Sequence, residues 1–144
     1  MIVIGFCGLP GAGKSTAIEA IKDLGKVVTM GDVIRNEAKK RGLTPSGDNL
    51  GKIAKELREK HGENIIARLC VDMIKQLNEH FIFIDGIRSM IEVKTFRNHW
   101  PLPVIAIEMS DEERFKRLKE RGRSDDPHSL DDLKTRDNRE LGFG

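Results

Sequence analysis

A short run of residues near the start of the chain carries the clearest chemistry in the sequence. It comprises Gly8, Leu9, Pro10, Gly11, Ala12, Gly13, Lys14, Ser15 and Thr16. Glycine, four residues and then Gly-Lys-Ser is the pattern of a phosphate-binding loop, whose inward-facing backbone N–H groups cradle phosphate oxygens. Lys14 would reach the β- and γ-phosphates, and the Ser15 hydroxyl would ligate Mg²⁺. The loop therefore predicts binding of ATP with magnesium.

The residues on either side of this loop predict the elements that must position it. The apolar stretch 2–7 indicates a buried strand, and the spacing of Ile18, Ile21 and Leu24 indicates a helix. A helix that starts after Gly13 would add its unpaired N–H groups and the positive end of its dipole. A glycine-rich turn without a ligand is the alternative, but it would make the lysine and the serine coincidences.

Asp85 is the second candidate, because it ends the apolar strand predicted over 81–85. In proteins with a phosphate loop, an acidic residue at the end of a neighbouring strand holds Mg²⁺ directly or through water. The alternative is that Asp85 only caps the turn into the next helix. The phosphate loop upstream favours metal binding, so Ser15 and Asp85 are the predicted magnesium ligands.

Arginines are concentrated in the last third of the chain. Arg121 and Arg123 lie in a helix-breaking segment, 121–127, that would present them from a mobile lid. Guanidinium groups suit the negative charge that spreads over phosphoryl oxygens during transfer, and a lid would exclude water. Arg114 is instead predicted to lie on a solvated helix face, since acids and bases alternate there at i,i+3 and i,i+4 spacing.

The order of elements predicts an α/β fold with a parallel sheet covered by helices. The expected strands are 2–7, 26–30, 81–85 and 104–107, with helices between them. Ser89 with Glu92, and Ser110 with Glu113, have capping-box spacing at two helix starts. Ligands bind at the carboxyl ends of such strands, where the loop, Asp32 and Asp85 all fall.

Composition limits the function further. A chain of 144 residues fits one domain, and 25 Lys+Arg against 23 Asp+Glu argue against a dedicated nucleic-acid surface. No apolar run is long enough to cross a bilayer, and the start lacks a secretory signal pattern. Cys7 and Cys70 are isolated and read as free thiols, which indicates a cytoplasmic protein.

The ordered set of motifs resembles the adenylate kinases, within the nucleoside monophosphate kinases. The similarity covers the whole chain and is closest to archaeal proteins described as adenylate-kinase-related or dephospho-CoA-kinase-like. The segments that carry it are 8–16, 31–35, 85–88 and 123–126, together with Arg136.

The resemblance implies a three-layer α/β/α domain over 1–144, with a core (1–31 and 80–116), a helical acceptor-binding part (32–79) and a short lid (117–139). It implies that Arg35 contacts the acceptor's phosphate, with Asp32 beside it, and that Arg88 sits between donor and acceptor phosphates. Arg123 and Arg136 would flank the donor. A fifth strand normally follows the lid in this fold, and the sequence, which stops at Gly144, is expected to lack it.

Two acceptor types are open, and both make the protein an ATP-dependent kinase. A phosphate acceptor is already an anion and needs no general base, whereas a hydroxyl acceptor would need a carboxylate such as Asp32. Asp32 is equally explained as the cap of a helix over 33–41. Met30 and Ile87 depart from the adenylate kinase pattern, so the acceptor need not be AMP. We favour a phosphate on a nucleotide-like acceptor; a slow ATPase switch is the alternative from another class.

Overall fold

A parallel sheet forms the centre of the molecule in the computed structural model, which describes residues 1–123 and 126–141. Within those residues the strands are β1 (Ile2–Cys7), β2 (Lys26–Thr29), β3 (Phe81–Ile87) and β4 (Val104–Ala106). Their order across the sheet is β2-β3-β1-β4, and each neighbouring pair is parallel. The predicted α/β class is confirmed.

Helices connect these strands and cover the sheet. Within the described ranges they are α1 (Lys14–Glu19), α2 (Met30–Lys40), α3 (Gly47–His61), α4 (Ile65–Lys75), α5 (Met90–Arg97), α6 (Asp111–Arg121) and α7 (Leu130–Leu141). A short 3₁₀ turn, Lys22–Leu24, leads into β2.

The two faces of the sheet have cores of different size. Side chains alternate between the faces along a strand, so Ile82 and Ile84 join the large core formed with α2, α3, α4 and α5. Phe83 points to the opposite face, where it packs with Phe6 and with Ile18 of α1. The near-continuous apolar character of β3 therefore reflects burial on both faces.

Helix starts follow the predicted capping chemistry in part. At α5 the Ser89 hydroxyl accepts from the Glu92 N–H at 3.3 Å, and the Glu92 carboxylate accepts from the Ser89 N–H at 3.2 Å, which completes the predicted box. At α6 the Ser110 hydroxyl accepts from the Glu113 N–H at 3.3 Å. Both helices begin where the sequence places their caps.

Several boundaries differ from expectation: α1 ends at Glu19 and does not continue to Leu24, and β2 and β4 each end one residue early. The α2 helix begins at Met30, directly after β2, so Asp32 lies inside its first turn instead of capping it. The β3 strand continues past Asp85 to Ile87, with Gly86 as an extra residue between the pairs Phe6–Asp85 and Cys7–Ile87. Such a bulge bends the strand and re-aims nearby side chains. Much of the expected lid is helical, since α7 occupies 130–141; Ser124 and Asp125 lie outside the described residues.

Candidate active site

The turn between β1 and α1 has the concave path of a phosphate-binding loop. Gly8 and Gly11 both have positive φ angles, of 148° and 78°. A Cβ on Gly8 would overlap the carbonyl oxygen of Ile107, and one on Gly11 would lie 2.8 Å from the carbonyl oxygen of Arg114. Glycine is therefore required both by the backbone angles and by close packing against the chain beyond β4 and against α6.

Lys14 folds back over this loop. Its Nζ donates to the carbonyl oxygen of Gly8 and, at 3.3 Å, to that of Leu9. The ammonium group thus lies against two carbonyl oxygens of the loop. Ser15 and Thr16 follow at the start of α1 with exposed side chains.

A cavity of about 740 Å³ opens at the carboxyl ends of β1, β2 and β3, and we call it the large cavity. With two exceptions, every site residue predicted from the sequence lines it, including those on α2, after β3 and on the segment 121–136. The exceptions are Leu9, which lines an apolar cavity beside α5, and Ala12, which is buried. The fold therefore gathers the separate motifs at one edge of the sheet, as a parallel sheet does.

Asp85 is the most unusual group in the large cavity. Its side chain is half-buried, and its Oδ1 atom is buried with no hydrogen-bond partner among the described residues. Burial raises the pKa of Asp85, the nearby Lys14 and Arg88 oppose that change, and Asp32 adds to it. Burial of a carboxylate oxygen without a hydrogen-bond donor costs free energy unless a cation binds to it.

The residues present fit a magnesium ion. Mg²⁺ takes oxygen ligands, keeps several waters and is held by one or two protein groups plus substrate phosphates. Asp85 and the Ser15 hydroxyl, which line the same cavity, are ligands of that kind. In the described parts of the chain no three His, Cys, Asp or Glu side chains cluster as an all-protein metal site.

The two predicted acceptor residues on α2 pair with each other. Arg35 Nη1 donates to Asp32 Oδ1 at 3.0 Å, one helical turn apart, and both side chains are exposed. An exposed pair of this kind contributes at most about 1 kcal/mol. Either partner can therefore exchange it for a ligand at little cost.

The three predicted lid arginines converge on one carboxylate, Asp126. Arg121 binds it through Nε at 3.0 Å and also through Nη2, the Arg123 N–H donates to it at 2.9 Å, and Arg136 Nη1 lies 3.7 Å away. Burial alone would raise the pKa of Asp126, but Arg121 and the Arg123 N–H outweigh it, so the pKa is lowered. The sequence reasoning included Asp126 in the segment 123–126 that carries the resemblance but gave it no role of its own.

Arg114 is not on the surface, and the prediction for it was wrong. It is buried, with Nη1 and Nη2 donating to Asp137 at 3.0 and 2.6 Å, Nη2 to Asp111 at 2.7 Å, and Nη1 to the Pro10 carbonyl oxygen at 3.2 Å. The pair with Asp137 raises the pKa of Arg114. One guanidinium thus joins α6, α7 and the phosphate loop.

Arg117 is a site residue that the sequence reasoning missed. It lines the large cavity, and its Nη1 lies 3.3 Å from the point that a Cβ on Gly13 would occupy. Its signal was the i,i+4 spacing to Arg121, which places both side chains on one face of α6.

The fold and the site together define a P-loop kinase-like protein, with the phosphate loop after β1 and an acidic residue on the adjacent β3. The family model described as an AAA domain matches residues 7–134. The chain is 51% identical to a UPF0200 protein of Methanoregula boonei, over all of this chain and 80% of that relative. It is 47% identical to a UPF0200 protein of Methanocaldococcus jannaschii, over 99% of this chain and 74% of that relative. The chain therefore belongs to the AAA-domain family and to the UPF0200 proteins.

Solved structures agree with this fold. A Thermus thermophilus protein designated TT1252 matches with a TM-score of 0.62 at 17% identity, over 95% of this chain and 78% of that one. Shikimate kinase from Bacteroides thetaiotaomicron matches with a TM-score of 0.56 at 17% identity, over 98% and 78%. At these identities the likeness establishes the fold alone. No helix in residues 1–123 and 126–141 combines the length and apolar character needed to cross a membrane.

Proposed function

We propose that this protein is an ATP- and Mg²⁺-dependent phosphotransferase that moves the γ-phosphate of ATP to a nucleotide-like acceptor. The observation that carries the proposal is the large cavity, where the phosphate loop, an orphaned carboxylate and arginines from three parts of the chain meet. Phosphoryl transfer depends on positioning and charge stabilisation, and these groups provide both.

On the donor side, backbone N–H groups of 8–13, the Lys14 ammonium and the Ser15 and Thr16 side chains would hold the triphosphate. Ser15 and Asp85 would hold Mg²⁺, which when bound neutralises charge on the β- and γ-phosphates. Arg121 of α6, Arg123 just after that helix and Arg136 of α7 line the same cavity and would stabilise the transferring group.

On the acceptor side, Arg35 and Arg88 would bind the acceptor's phosphate, with 32–79 as the acceptor-binding part, 1–31 and 80–116 as the core and 117–139 as the lid. A phosphate oxygen attacks without a general base. Cytoplasmic ATP is the donor in this proposal, and the free thiols of Cys7 and Cys70 fit that compartment.

A hydroxyl acceptor is the second candidate, and the start of α2 favours it. Because the helix begins at Met30, the Asp32 carboxylate has no capping duty and is exposed in the large cavity. There it could orient an attacking hydroxyl and take its proton.

Phosphorus NMR of ATP and Mg²⁺ with a panel of nucleoside monophosphates and dephospho-CoA tests these alternatives. We expect the γ-phosphate signal to fall only when one acceptor is present, with a matching new phosphate signal on that acceptor. Asp32→Asn keeps this transfer if the acceptor is a phosphate and loses it if the acceptor is a hydroxyl. The matched control is Asp72→Asn, on the exposed side of α4. Slow loss of the γ-phosphate that ignores the acceptor would refute a kinase and indicate an ATPase switch.

A further inference from the structure

A second cavity, of about 470 Å³, adjoins the large one and lies between α3 and the segment 126–139. The two cavities share Gly31, Arg35, Arg88 and Arg136 as lining residues. We call it the acceptor-side cavity, because it is reached past the residues proposed to bind the acceptor's phosphate. A ligand held at Arg35 and Arg88 would extend into it.

Charged side chains form much of the described lining of this cavity. Five arginines and three aspartates line it, next to four apolar residues, Ile34, Leu50, Ala54 and Pro127, and the one aromatic ring among the described lining residues is the exposed imidazole of His128. A site built to stack a nucleobase presents aromatic or apolar faces. The five arginines add recognition of anionic groups, because guanidinium groups bind phosphate and carboxylate with two parallel hydrogen bonds.

Arg58, on α3, is the most enclosed of these arginines that the proposed function leaves without a role. Its side chain is only 12% exposed, and its Nη2 lies 3.6 Å from Oε1 of the buried Glu92. Glu92 is already engaged, since its Oε2 accepts from the N–H groups of Arg88 and Ser89 at 2.8 and 3.2 Å. One carboxylate therefore holds the backbone of Arg88 and the guanidinium of Arg58 beside each other.

Two guanidinium groups at one cavity wall repel each other. Burial lowers the pKa of Arg58, the Glu92 carboxylate opposes that change, and the positive charge of Arg88 adds to it. Replacing a buried ion pair by apolar packing is often neutral or stabilising. The packing of α3 therefore does not by itself account for two guanidinium groups that repel each other at this wall. An anion bound between the two guanidinium groups would offset both the burial and the repulsion.

We infer that Arg58 binds an anionic group of the acceptor other than the one that receives the phosphoryl group, so that the acceptor-side cavity selects a doubly anionic acceptor. This rests on the proposed function, in which Arg35 and Arg88 hold the accepting group. The second group is a phosphate or a carboxylate, and Arg58 is a specificity-determining residue for it.

The test compares two probes on protein whose donor site is filled with Mg²⁺ and AMP-PNP, a non-transferring ATP analogue. Calorimetry measures the affinities of adenosine 5′-monophosphate and adenosine 3′,5′-bisphosphate. We expect the bisphosphate to bind about tenfold more tightly or better, as one further charged hydrogen-bonding contact does. Arg58→Gln should remove that preference and change the monophosphate affinity by about twofold at most.

Lys55→Gln is the matched control, because it removes a positive charge from an exposed position on the same helix. It should leave the preference unchanged. The inference is overturned if wild-type protein binds both probes equally or binds neither, or if Arg58→Gln weakens both alike. If AMP-PNP itself does not bind, the proposed function fails as well, so the two failures are distinguishable.

A second variant separates specificity from folding, since Arg58→Gln leaves the Glu92 carboxylate buried without this partner. The double variant Arg58→Gln/Glu92→Gln removes that charge too. We expect the double variant to bind the two probes with equal affinities, as the single variant does. Recovery of the bisphosphate preference in the double variant would show that Arg58 acted only through structure, and would overturn the inference.

Discussion

The phosphate loop and the α6–α7 region face the same cavity but are built differently. The loop is held mostly by contacts close along the chain: Gly8 and Gly11 take angles that other residues avoid, and the Lys14 side chain bonds to carbonyl groups five and six residues earlier. Its long-range contact is the bond from Arg114 to the Pro10 carbonyl oxygen. The α6–α7 region is held by ion pairs, Arg114 with Asp137 at 23 residues' separation and Arg121 with Asp126.

This difference follows from what each region presents. Backbone N–H groups carry no net charge, so a loop that displays them is stable before a ligand arrives. Several guanidinium groups near one point repel one another, and in α6–α7 the buried Asp126 offsets that repulsion. The arginines of α6 have different places in the structure. Arg114 connects α6 to α7 and to the phosphate loop, whereas Arg117 and Arg121 line the cavity.

We expect the largest effect on stability from removing the buried ion pair between Arg114 and Asp137. Arg114→Met leaves the mostly buried Asp137 carboxylate without its partner, which should lower the free energy of unfolding by about 3–5 kcal/mol in urea titrations. The exposed neighbour Arg117→Met should change it by about 0.5 kcal/mol or less. Adding Asp137→Leu to Arg114→Met should restore part of the loss. Equal costs for Arg114→Met and Arg117→Met would mean that α6–α7 does not depend on a buried ion pair.

The next largest effect should be on ATP binding, and it tests the phosphate loop. Lys14→Ala should weaken ATP binding about a hundredfold, because a charged group facing the phosphates is lost. The free energy of unfolding should fall by only about 1 kcal/mol, because the bonds to the Gly8 and Leu9 carbonyl oxygens are lost. Calorimetry and urea titration measure the two quantities. Lys26→Ala, at the amino end of β2 and the opposite edge of the sheet, is the control that should change neither. Unchanged ATP affinity in Lys14→Ala would refute the phosphate cradle.

The smallest expected effect concerns two carboxylates, Asp85 and Asp126, whose pKa values shift in opposite directions. Asp85 has a raised pKa, so the folded protein binds its proton more tightly, and stability falls as pH rises above the usual aspartate range toward that raised pKa. Asp126 has a lowered pKa, so its contribution is present above the usual range and is lost as pH falls through that lowered pKa.

Without Mg²⁺ at neutral pH, Asp85→Asn should therefore raise the free energy of unfolding by about 1 kcal/mol and weaken Mg²⁺-dependent ATP binding. Asp126→Asn should lower the free energy of unfolding at the same pH. Urea titrations across acidic and neutral pH measure both variants. Destabilisation by both would contradict the contrast and remove the structural support for Asp85 as a metal ligand.

Local patterns predicted most of the elements. Apolar periodicity located the strands of the sheet, and the Ser89–Glu92 spacing marked the start of α5. The beginning of α2 at Met30 was not predicted, because Asp32 looks like a cap in sequence and a strand can pass into a helix without one. The extra residue at Gly86 was missed for a similar reason, since a bulge depends on the register with β1.

The sequence by itself determined the phosphate loop, the parallel α/β order and the motifs whose spacing resembles the adenylate kinases, because each depends on residues close along the chain. Only the tertiary structure decided which charged groups meet. It buried Arg114 against Asp137, left Asp85 Oδ1 without a donor among the described residues, and set Arg58 beside Arg88 through Glu92. Charge interactions act through space and burial, and neither is visible until the helices have packed.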